Sequence, residues 1–532
     1  MAQSDLIVGK HTLESLTIGM YSDSFSIFRE YVQNATDAID SAVKEGILND
    51  GEGRIDITVN PESSFISIKD NGTGITVKNA FKILGDIGNS TKDHRQNRGF
   101  RGIGRLGGLG YANTLVFRTK AKGDDKQISI TWNCKRLKEL LEPGKYRDYD
   151  LIRVINEVTT VEYKNSLKND HFFEVELSNI DPTTPELLDV DMVSKYLESV
   201  APIPFNFQTF IEGKKVKKYL LQRNLPLEEY AIYLNNSAKP ILKRYSTSFR
   251  TGNQERTKQQ DSIKDIEFFE HKNENGIAYV GWIALTNFYG SVTDDFMVGI
   301  RVRKGNILIG TKDTFSQFFP VEKDVANRSF IGEIYFFEKE IIPNARRDDF
   351  EKNFAFQQIQ KEIQQKADYF NKRYRRDSSK YNSAVRKIDE SKRELHEIVS
   401  LIENGGITSD IKKEQLIDKK EVIEKKLETN KKELSKIIEK YDLDEDKKYK
   451  AELYFKEAES LQKQIVNVEN KIVNADYATK KDLPSSYSKE ERRIYQIVIK
   501  VIDENVDECT AKMLRTKIKE ELAISKKKGS RN

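Results

Sequence analysis

A change of character near Phe350 constrains the fold of this chain more than any other feature of its sequence. Before Phe350, short runs typical of β-strands alternate with helical stretches and glycine-rich loops, which predicts α+β folding. After it, the sequence is rich in charge, almost free of proline and helical in pattern, with interruptions at Gly405-Gly406 and at the acidic segment DLDED. The chain is therefore expected to consist of an α+β part followed by an α-helical third.

Four domains are predicted from the length of 532 residues and from local breaks in the sequence. A helical stretch from Pro185 to Ser199 runs into the proline-containing segment APIPF, which marks the first boundary. In the domain that follows, KGN and EGK are the expected hairpin turns. The predicted domains are two α+β domains at residues 1–200 and 201–352, helical arms at 353–475, and a helical module at 476–532 that ends in the basic tail SKKKGSRN.

The composition indicates much solvated surface, since 37% of the residues are apolar and 33% are charged. The sequence holds no run of about 18 uncharged apolar residues, and its first residues show no basic stretch followed by an apolar one. We therefore expect a cytoplasmic protein without a membrane segment. Cys134 and Cys509 are the only cysteines and lack neighbours at ligand spacing, so neither a disulfide framework nor a zinc site is expected.

Apolar residues recur at heptad-like spacing in the helical arms, which is typical of a coiled coil. Polar residues interrupt the predicted seam at Lys392, Lys420 and Asn430. Because a Gly-Gly turn separates two arms, an antiparallel hairpin within one chain is favoured, and pairing between chains stays open as the alternative. The seam residues are Val385, Ile388, Leu395, Val399 and Ile402 in the first arm, and Leu416, Ile423, Leu427, Leu434, Ile437 and Tyr441 in the second.

The motif FREYVQNATDAID carries the first candidate functional residues. Glu30, Asn34 and Asp37 are spaced i, i+4 and i+7, which places them on one face of a helix predicted around Ser24 to Val43. A carboxylate beside a carboxamide can polarise an attacking water and supply an oxygen ligand to Mg²⁺. The alternative interpretation is a solvated helix face.

The motif SIKDNGTGI predicts a strand that ends in Asp70, followed by a turn with Gly72 and Gly74. A carboxylate at a strand end can accept a hydrogen bond from an exocyclic amine, and glycines let the backbone approach a planar base closely. A simple DNG hairpin turn is the alternative.

A third motif, GDIGNSTKDHRQNRGFRGIGRLGGLG, is rich in glycine. Gly99, Gly102 and Gly104 form a GxxGxG pattern whose backbone N–H groups can point at phosphate oxygens. The motif is not a Walker A loop, because no GKS or GKT follows. It does not open a Rossmann unit either, because no strand directly precedes it. Alone, the pattern is a weak signal.

Taken in order, the three motifs resemble the N box, G1 box and G2 box of the Bergerat-fold ATPases. These form the GHKL superfamily of gyrase B, heat-shock chaperone, histidine kinase and MutL, and the chain is similar in particular to MORC-like and heat-shock-chaperone-like ATPases. The resemblance implies an α/β sandwich ATPase domain that binds ATP and Mg²⁺, with a transducer-like domain after it. It also implies hydrolysis of ATP to ADP and phosphate.

The resemblance assigns roles to single residues: Glu30 as the general base, Asn34 as the Mg²⁺ ligand and Asp70 as the adenine anchor. These families carry a Gly-Thr pair before a late strand, but here NDH precedes the predicted strand FFEVEL, so no threonine is assigned to the adenine pocket. The other nucleotide-binding residues that it implies are Asp37, Ala38, Gly72, Gly74, Ser90, Thr91, Lys92, Gly99, Phe100, Arg101, Gly102, Ile103 and Gly104.

The segment IIPNARRDDFE of the second domain resembles a loop of the heat-shock chaperone's middle domain and a loop of the MORC ATPases. This implies that Arg347, with Arg346 as its neighbour, supplies a catalytic cation to the γ-phosphate of ATP. A surface ion-pair cluster is the alternative. Lys304 in VRKGNIL is interpreted as a hairpin-turn residue rather than a catalytic one.

Residues 372–387 contain seven Lys or Arg against the single acid Asp377, with Tyr374 and Tyr381 between them. Such a basic helix can bind phosphate backbones, and the C-terminal tail adds further charge. A charged face on a helical arm is the alternative. Because the net charge of +5 is small for this length, contact with nucleic acid has to rest on these local clusters.

The leading hypothesis for function is an ATP-gated homodimeric clamp, with DNA as a candidate substrate. The alternatives are a heat-shock-type chaperone ATPase for protein clients and a signalling or defence scaffold that uses ATP-driven dimerisation. A histidine kinase is disfavoured, because His11 lies in no suitable helix and His396 follows the ATPase domain without the proline of the familiar box.

Overall fold

The computed structural model of the chain describes residues 9–16, 23–85, 104–252, 259–288, 290–403, 407, 410–440, 445–474 and 487–529. The chain divides into two compact units, Met1–Ser378 and Ser379–Asn532. The first unit contains a seven-stranded and a five-stranded sheet with helices, and the described part of the second unit is helical. The predicted α+β fold class with a helical C-terminal part is thereby confirmed.

The helices and strands have the following bounds. The helices of the first unit are α1 (His11–Leu16), α2 (Ser26–Lys44), α3 (Val77–Gly85), α4 (Cys134–Leu141), α5 (Leu151–Val158), α6 (Val190–Val200), α7 (Gly213–Leu221), α8 (Lys323–Asn327) and α9 (Phe354–Phe370). The strands are β1 (Arg54–Asn60), β2 (Phe65–Asp70), β3 (Ala112–Lys120), β4 (Lys126–Asn133), β5 (Thr159–Asn165), β6 (Phe172–Ile180), β7 (Ala231–Leu234), β8 (Ser248–Thr251), β9 (Gln259–Ser262), β10 (Asp265–Asn273), β11 (Gly276–Leu285), β12 (Gly299–Lys304), β13 (Ile307–Leu308) and β14 (Ile331–Phe336). Further helices are α10 (Asp377–Glu403), α11 (Asp410–Lys440), α12 (Glu445–Val473), α13 (Lys489–Asn505) and α14 (Glu508–Gly529). Among the described residues, no helix is both long and apolar enough to cross a membrane.

The seven-stranded sheet is built from strands in which apolar and polar residues alternate. In β1, Ile55, Ile57 and Val59 are buried and the residues between them are more exposed, as expected for a strand with one face on a core. The strand order is β5-β4-β3-β6-β2-β1-β7, and every neighbouring pair is antiparallel except β1 with β7. The apolar face of α2 joins the same core. β7 comes from beyond residue 200, where the sequence places the first domain boundary.

The five-stranded sheet has the order β10-β11-β14-β12-β13. The predicted KGN turn joins β12 to the antiparallel β13, and Gly305 and Asn306 have φ values of 55° and 58°, the positive values that a two-residue hairpin favours. This prediction is confirmed. The EGK prediction is wrong, because Gly213 begins α7. A Cβ on Gly213 would lie 2.9 Å from the ring of Phe210, so this glycine permits close packing rather than a turn.

The helices α10, α11 and α12 of the second unit share one hydrophobic core within the chain. Lys420, a predicted interruption of the seam, is buried there and pairs with Glu424 and Glu469. Along the ion pairs between helices, residue numbers rise on α11 as they fall on its partners, so α11 runs antiparallel to both. These ion pairs are Lys419–Glu397, Lys426–Glu394, Lys420–Glu469 and Lys431–Glu459. The antiparallel packing within one chain was expected, whereas the third helix was not.

Candidate active site

Helix α2 positions the three polar residues of the first motif. Glu30 and Asp37 are buried, with 5% and 3% of their surface exposed, and Asn34 is half-buried. The helix holds them in place because its apolar face, which includes Phe28 and Val32, is fully buried against the first sheet. Two carboxylates buried to this extent do not lie on a solvated helix face, which is the alternative interpretation of this motif.

The second motif folds back against α2. Asp70 is the last residue of β2, and its Oδ1 accepts a hydrogen bond from the backbone N–H of Gly72 at 2.8 Å. A Cβ on Gly72 would lie 2.6 Å from Ala38, and a Cβ on Gly74, which has a φ of 62°, would lie 2.0 Å from the carbonyl oxygen of Lys120. Only glycine fits these two positions. The turn therefore places Asp70 beside the helix that carries Glu30, Asn34 and Asp37.

The third motif is described only from Gly104 onward. The predicted phosphate-binding residues Ser90, Thr91, Lys92, Gly99, Phe100, Arg101, Gly102 and Ile103 lie outside the described residues. Gly104 begins a 3₁₀ helix that ends at Gly110, and a Cβ on Gly104 would lie 2.1 Å from Oε2 of Glu30. The Tyr31 hydroxyl accepts from the backbone N–H of Gly108 and donates to the carbonyl of Arg105. The end of the glycine motif is thus fixed on α2.

Arg347 reaches the same site from the second predicted domain. Its Nε donates to Oε1 of Glu30 at 2.7 Å, and the two side chains are 9% and 7% exposed. Arg347 has a φ of 58°, and its carbonyl accepts from the N–H of Gly310 and from Nη1 of Arg29. The neighbouring Arg346 is exposed. A surface ion-pair cluster therefore does not describe Arg347, whose ion pair with Glu30 is buried.

These contacts leave Glu30 with one carboxylate oxygen on the guanidinium of Arg347 and the other against Gly104. A carboxylate of this kind can act as a general base toward a water molecule held near Oε2. No cluster of three or more His, Cys, Asp or Glu suited to a metal occurs in the described part of the chain. Mg²⁺ fits a single Asn34 carboxamide nonetheless, because it keeps several waters and takes other oxygens from the phosphates of its nucleotide.

His171 is a site residue that the sequence did not single out. It lies immediately before β6, and its Nδ1 is 2.9 Å from the carbonyl oxygen of Gly72. Beside it, the Thr119 hydroxyl accepts from the N–H of Ile75 and donates to the carbonyl of Phe172. The signal was the triplet NDH, which stands where the related families have a Gly-Thr pair. His171 thus contacts the turn that carries the second motif.

The comparisons with known proteins agree with this arrangement. Residues 21–161 match the family of histidine kinase-, DNA gyrase B-, and HSP90-like ATPases, and the match covers α2, β2 and Gly104. The resemblance to the GHKL superfamily is therefore confirmed for the part of the chain that holds the three motifs.

Among individual proteins, the chain is similar to several bacterial chaperones. It is 32% identical over 149 residues to the chaperone protein HtpG of Psychrobacter arcticus, which covers 23% of each chain. It is 25% identical over 232 residues to that of Buchnera aphidicola, covering 40% of this chain and 34% of the relative. For that of Hydrogenovibrio crunogenus, the identity is 30% over 176 residues, or 30% and 26% of the two chains. The chain thus spans about a quarter to a third of the length of these curated relatives.

The basic segment 372–387 makes contacts within its own chain. Lys372 pairs with Asp368 at 2.6 Å, and Arg375 pairs with Glu322. The guanidinium of Arg373 lies 5.4 Å from the ring centroid of Tyr374. These contacts use part of the positive charge that was predicted to bind nucleic acid. A role of this segment in nucleic-acid binding stays a prediction.

Proposed function

We propose that this chain is a Mg²⁺-dependent ATPase that hydrolyses ATP to ADP and phosphate and works as an ATP-gated homodimeric clamp. The observation that carries the proposal is the 2.7 Å contact between Nε of Arg347 and Oε1 of Glu30. It supports a site to which both the ATPase domain and the following domain contribute, because the candidate base and the candidate cation meet in a buried place. The match of residues 21–161 to an ATPase family supports the choice of nucleotide.

In this proposal, Asp70 accepts a hydrogen bond from the exocyclic amine of adenine, and the glycine motif holds the phosphates. Glu30 takes the proton of the attacking water. Asn34 and the phosphates would hold Mg²⁺, which would supply positive charge to neutralise the transferring group. Arg347 stabilises the charge that develops on the γ-phosphate.

The ion pair also suggests how nucleotide is coupled to the second domain. Phosphate oxygens are strong acceptors for a guanidinium, so the γ-phosphate competes with Glu30 for Arg347. When ATP draws Arg347 onto the phosphate, the Glu30 carboxylate is released to act as a base. Binding of ATP and activation of Glu30 then occur together, and the loop that carries Arg347 moves at the same time.

Substitution of Arg347 tests this proposal. We expect Arg347→Ala to slow turnover more than it weakens ATP binding, because a cation on the γ-phosphate contributes most when charge develops in the transition state. Steady-state hydrolysis and equilibrium binding of a non-hydrolysable ATP analogue measure the two effects. Arg346→Ala is the matched control, since that side chain is exposed.

Two results contradict the assignment in different ways. If Arg346→Ala costs more turnover than Arg347→Ala, the resemblance between this loop and the loops of related ATPases is shifted by one residue. If neither substitution changes turnover, the contact with Glu30 holds the domains together and has no part in catalysis.

A chaperone ATPase for protein clients is the second candidate, and the names of the similar proteins favour it, since all three are chaperones. A nucleic-acid clamp and a chaperone differ in what the ATP-bound form retains. Retention of DNA with a steep salt dependence supports the first function. ATP-dependent suppression of the aggregation of an unfolded protein supports the second.

A further inference from the structure

The turn that follows β2 is tied to the start of β6 by His171. Phe173 of β6 is the register partner of Asp70, the last residue of β2. His171 stands two positions before Phe173, which brings its side chain beside the turn, and its Nδ1 is 2.9 Å from the carbonyl oxygen of Gly72. Because a carbonyl oxygen can only accept a hydrogen bond, Nδ1 of His171 carries the hydrogen and donates it.

Gly72 is the residue of this turn whose backbone most needs such a restraint. A side chain is excluded here, because a Cβ would lie 2.6 Å from Ala38. The absence of a Cβ also gives glycine more backbone freedom than any other residue. The N–H of Gly72 donates to Oδ1 of Asp70 at 2.8 Å, and its carbonyl accepts from His171. These two bonds lie on opposite sides of the Gly72 Cα and together restrict both of its backbone dihedrals.

The positions on either side of Gly72 have anchors of their own. The side chain of Asn71 accepts from one backbone group and donates to another at the start of β1, at 2.7 Å and 2.9 Å. The backbone N–H of Thr73 donates to a carbonyl of α2 at 3.3 Å. His171 therefore adds a restraint at the one position between these anchors that carries no side chain.

The orientation of the Asp70 carboxylate depends on where Gly72 lies. Asp70 is 4% exposed, and the bond from the N–H of Gly72 to its Oδ1 limits rotation of the carboxylate. A hydrogen bond weakens steeply when its direction is wrong. A shift of Gly72 would therefore turn the carboxylate away from the direction in which it accepts from the amine of a base.

We propose that His171 is a positioning residue that makes the nucleotide site selective for a base with an exocyclic 6-amino group. It acts through Gly72 on Asp70 and needs no contact of its own with the base. This inference rests on the proposed function, because Asp70 has a base to select only if the chain binds an adenine nucleotide.

Calorimetric titration of the full chain with two diphosphates tests the proposal. ADP carries the 6-amino group, and purine riboside 5′-diphosphate lacks it but keeps the ring, the sugar and the phosphates. We expect wild type to bind ADP more tightly. His171→Ala is expected to weaken ADP binding about three- to thirtyfold, as for the loss of one hydrogen bond to a partly buried acceptor. Binding of purine riboside diphosphate should weaken less, so the ratio of the two affinities falls.

Turnover of ATP distinguishes this role from a catalytic one. Contacts to the base are the same in the ground state and in the transition state, so their loss raises KM and leaves kcat nearly unchanged. We expect this result for His171→Ala, since the substitution leaves Glu30 and Arg347 in place.

A second variant and a control exclude a general defect in folding. In His171→Asn, the amide Nδ2 is as many bonds from the main chain as Nδ1 of histidine and can donate to Gly72, so most of the selectivity should return. His271→Ala is the matched control. His271 is also half-buried, but it lies on β10 of the other sheet, where its ring stacks on Tyr279.

The inference fails alone if wild type prefers ADP and His171→Ala keeps the same ratio of affinities. It also fails if His171→Asn loses as much selectivity as His171→Ala, or if kcat falls while KM does not change. Equal binding of the two diphosphates by wild type overturns it as well, together with the role of Asp70. If wild type binds neither diphosphate, the proposed ATPase and this inference are both wrong.

Discussion

Glu30 and Arg347 form an ion pair that is almost entirely removed from solvent. Removal of one partner from such a pair leaves the other charge buried without compensation, which commonly costs about 3–5 kcal/mol. Alanine at position 30 therefore disturbs the position of Arg347 as well as the chemistry. Glutamine at position 30 keeps an acceptor oxygen for the guanidinium and removes only the basic carboxylate. It therefore tests the catalytic role of Glu30 while Arg347 keeps a hydrogen-bond partner.

We expect Glu30→Gln to lower ATP turnover by about 10²- to 10⁴-fold while ATP binding stays nearly intact, since this is the usual contribution of a positioned general base. Parallel measurements of turnover and of nucleotide affinity decide the point. Asp40→Asn is the control on the same helix, because its side chain accepts from the Tyr230 hydroxyl and its amide can still do so. Parental turnover in Glu30→Gln shows that Glu30 is not the base.

The spacing of the motifs predicted which residues share a helix face, but not what those residues contact. Glu30 and Arg347 are 317 positions apart, and His171 and Gly72 are 99 apart. Contacts over such separations depend on tertiary packing, which periodicity in a single sequence does not encode. The resemblance to known ATPases implied that Arg347 belongs to the site. The direct pairing of its guanidinium with Glu30 was seen only in the structure.

At the scale of elements, strands β12 and β14 are joined by a buried ionic network around Glu333. Oε1 of Glu333 accepts from Nε of Arg303 at 2.6 Å, and Oε2 accepts from Nζ of Lys243 at 2.9 Å. All three side chains are at most 1% exposed. Burial alone would raise the pKa of the Glu333 carboxyl, but Arg303 and Lys243 lower it from 4.5 to about 2.

Glu333→Gln is expected to destabilise the protein by about 3–5 kcal/mol, because two buried cations lose their carboxylate. Urea unfolding monitored by circular dichroism measures this change. Glu338→Gln is the matched control, since the side-chain partners of Glu338 are the neutral amides of Asn273 and Asn275. Equal effects of the two substitutions contradict the importance of charge at position 333.

The same pair of variants has a pH signature. In the folded state the pKa of Glu333 lies below its unfolded value of 4.5, so the folded protein binds fewer protons there than the unfolded chain. The stabilisation is complete above pH 4.5 and is lost as the pH falls toward about 2. Glu333→Gln lacks this group, so its loss of unfolding free energy between these pH values is expected to be smaller than that of the parent.

The pattern of the helical arms illustrates what periodicity can and cannot predict. Heptad spacing specifies that a helix has a buried seam, and the buried residues Ile388, Leu395 and Ile423 agree with it. The number of partners depends on how wide that seam is and on which other helix is close. The heptad pattern therefore could not predict that α12 packs against α10 and α11.

For the whole molecule, we expect ATP to promote pairing of two chains through the first unit. A conformation that exists only with the γ-phosphate in place can expose a pairing surface, and ATP then shifts the equilibrium by its differential affinity. A fragment that ends at residue 378 removes the helical arms as a competing source of association. It should retain α9, because Phe356, Ile359 and Ile363 belong to the core of the second sheet.

Sedimentation of this fragment, after circular dichroism has shown that it folds, measures the effect. We expect monomer without nucleotide or with ADP, and dimer with a non-hydrolysable ATP analogue. The Glu30→Gln variant with ATP itself should also form the dimer, because the nucleotide persists. Monomer in every nucleotide state excludes the clamp and leaves a scaffold assembled through the C-terminal part.

The position of β7 has a consequence for how the protein is made. This strand completes the first sheet by pairing in parallel with β1, yet its residues Ala231 to Leu234 lie 177 positions after their partners Arg54 to Ile57. We therefore expect that, during synthesis on the ribosome, the β1 edge of the N-terminal sheet stays unpaired until this late strand has emerged. During that interval the edge offers unpaired N–H and C=O groups to other nascent chains, which is the circumstance in which strand edges recruit one another.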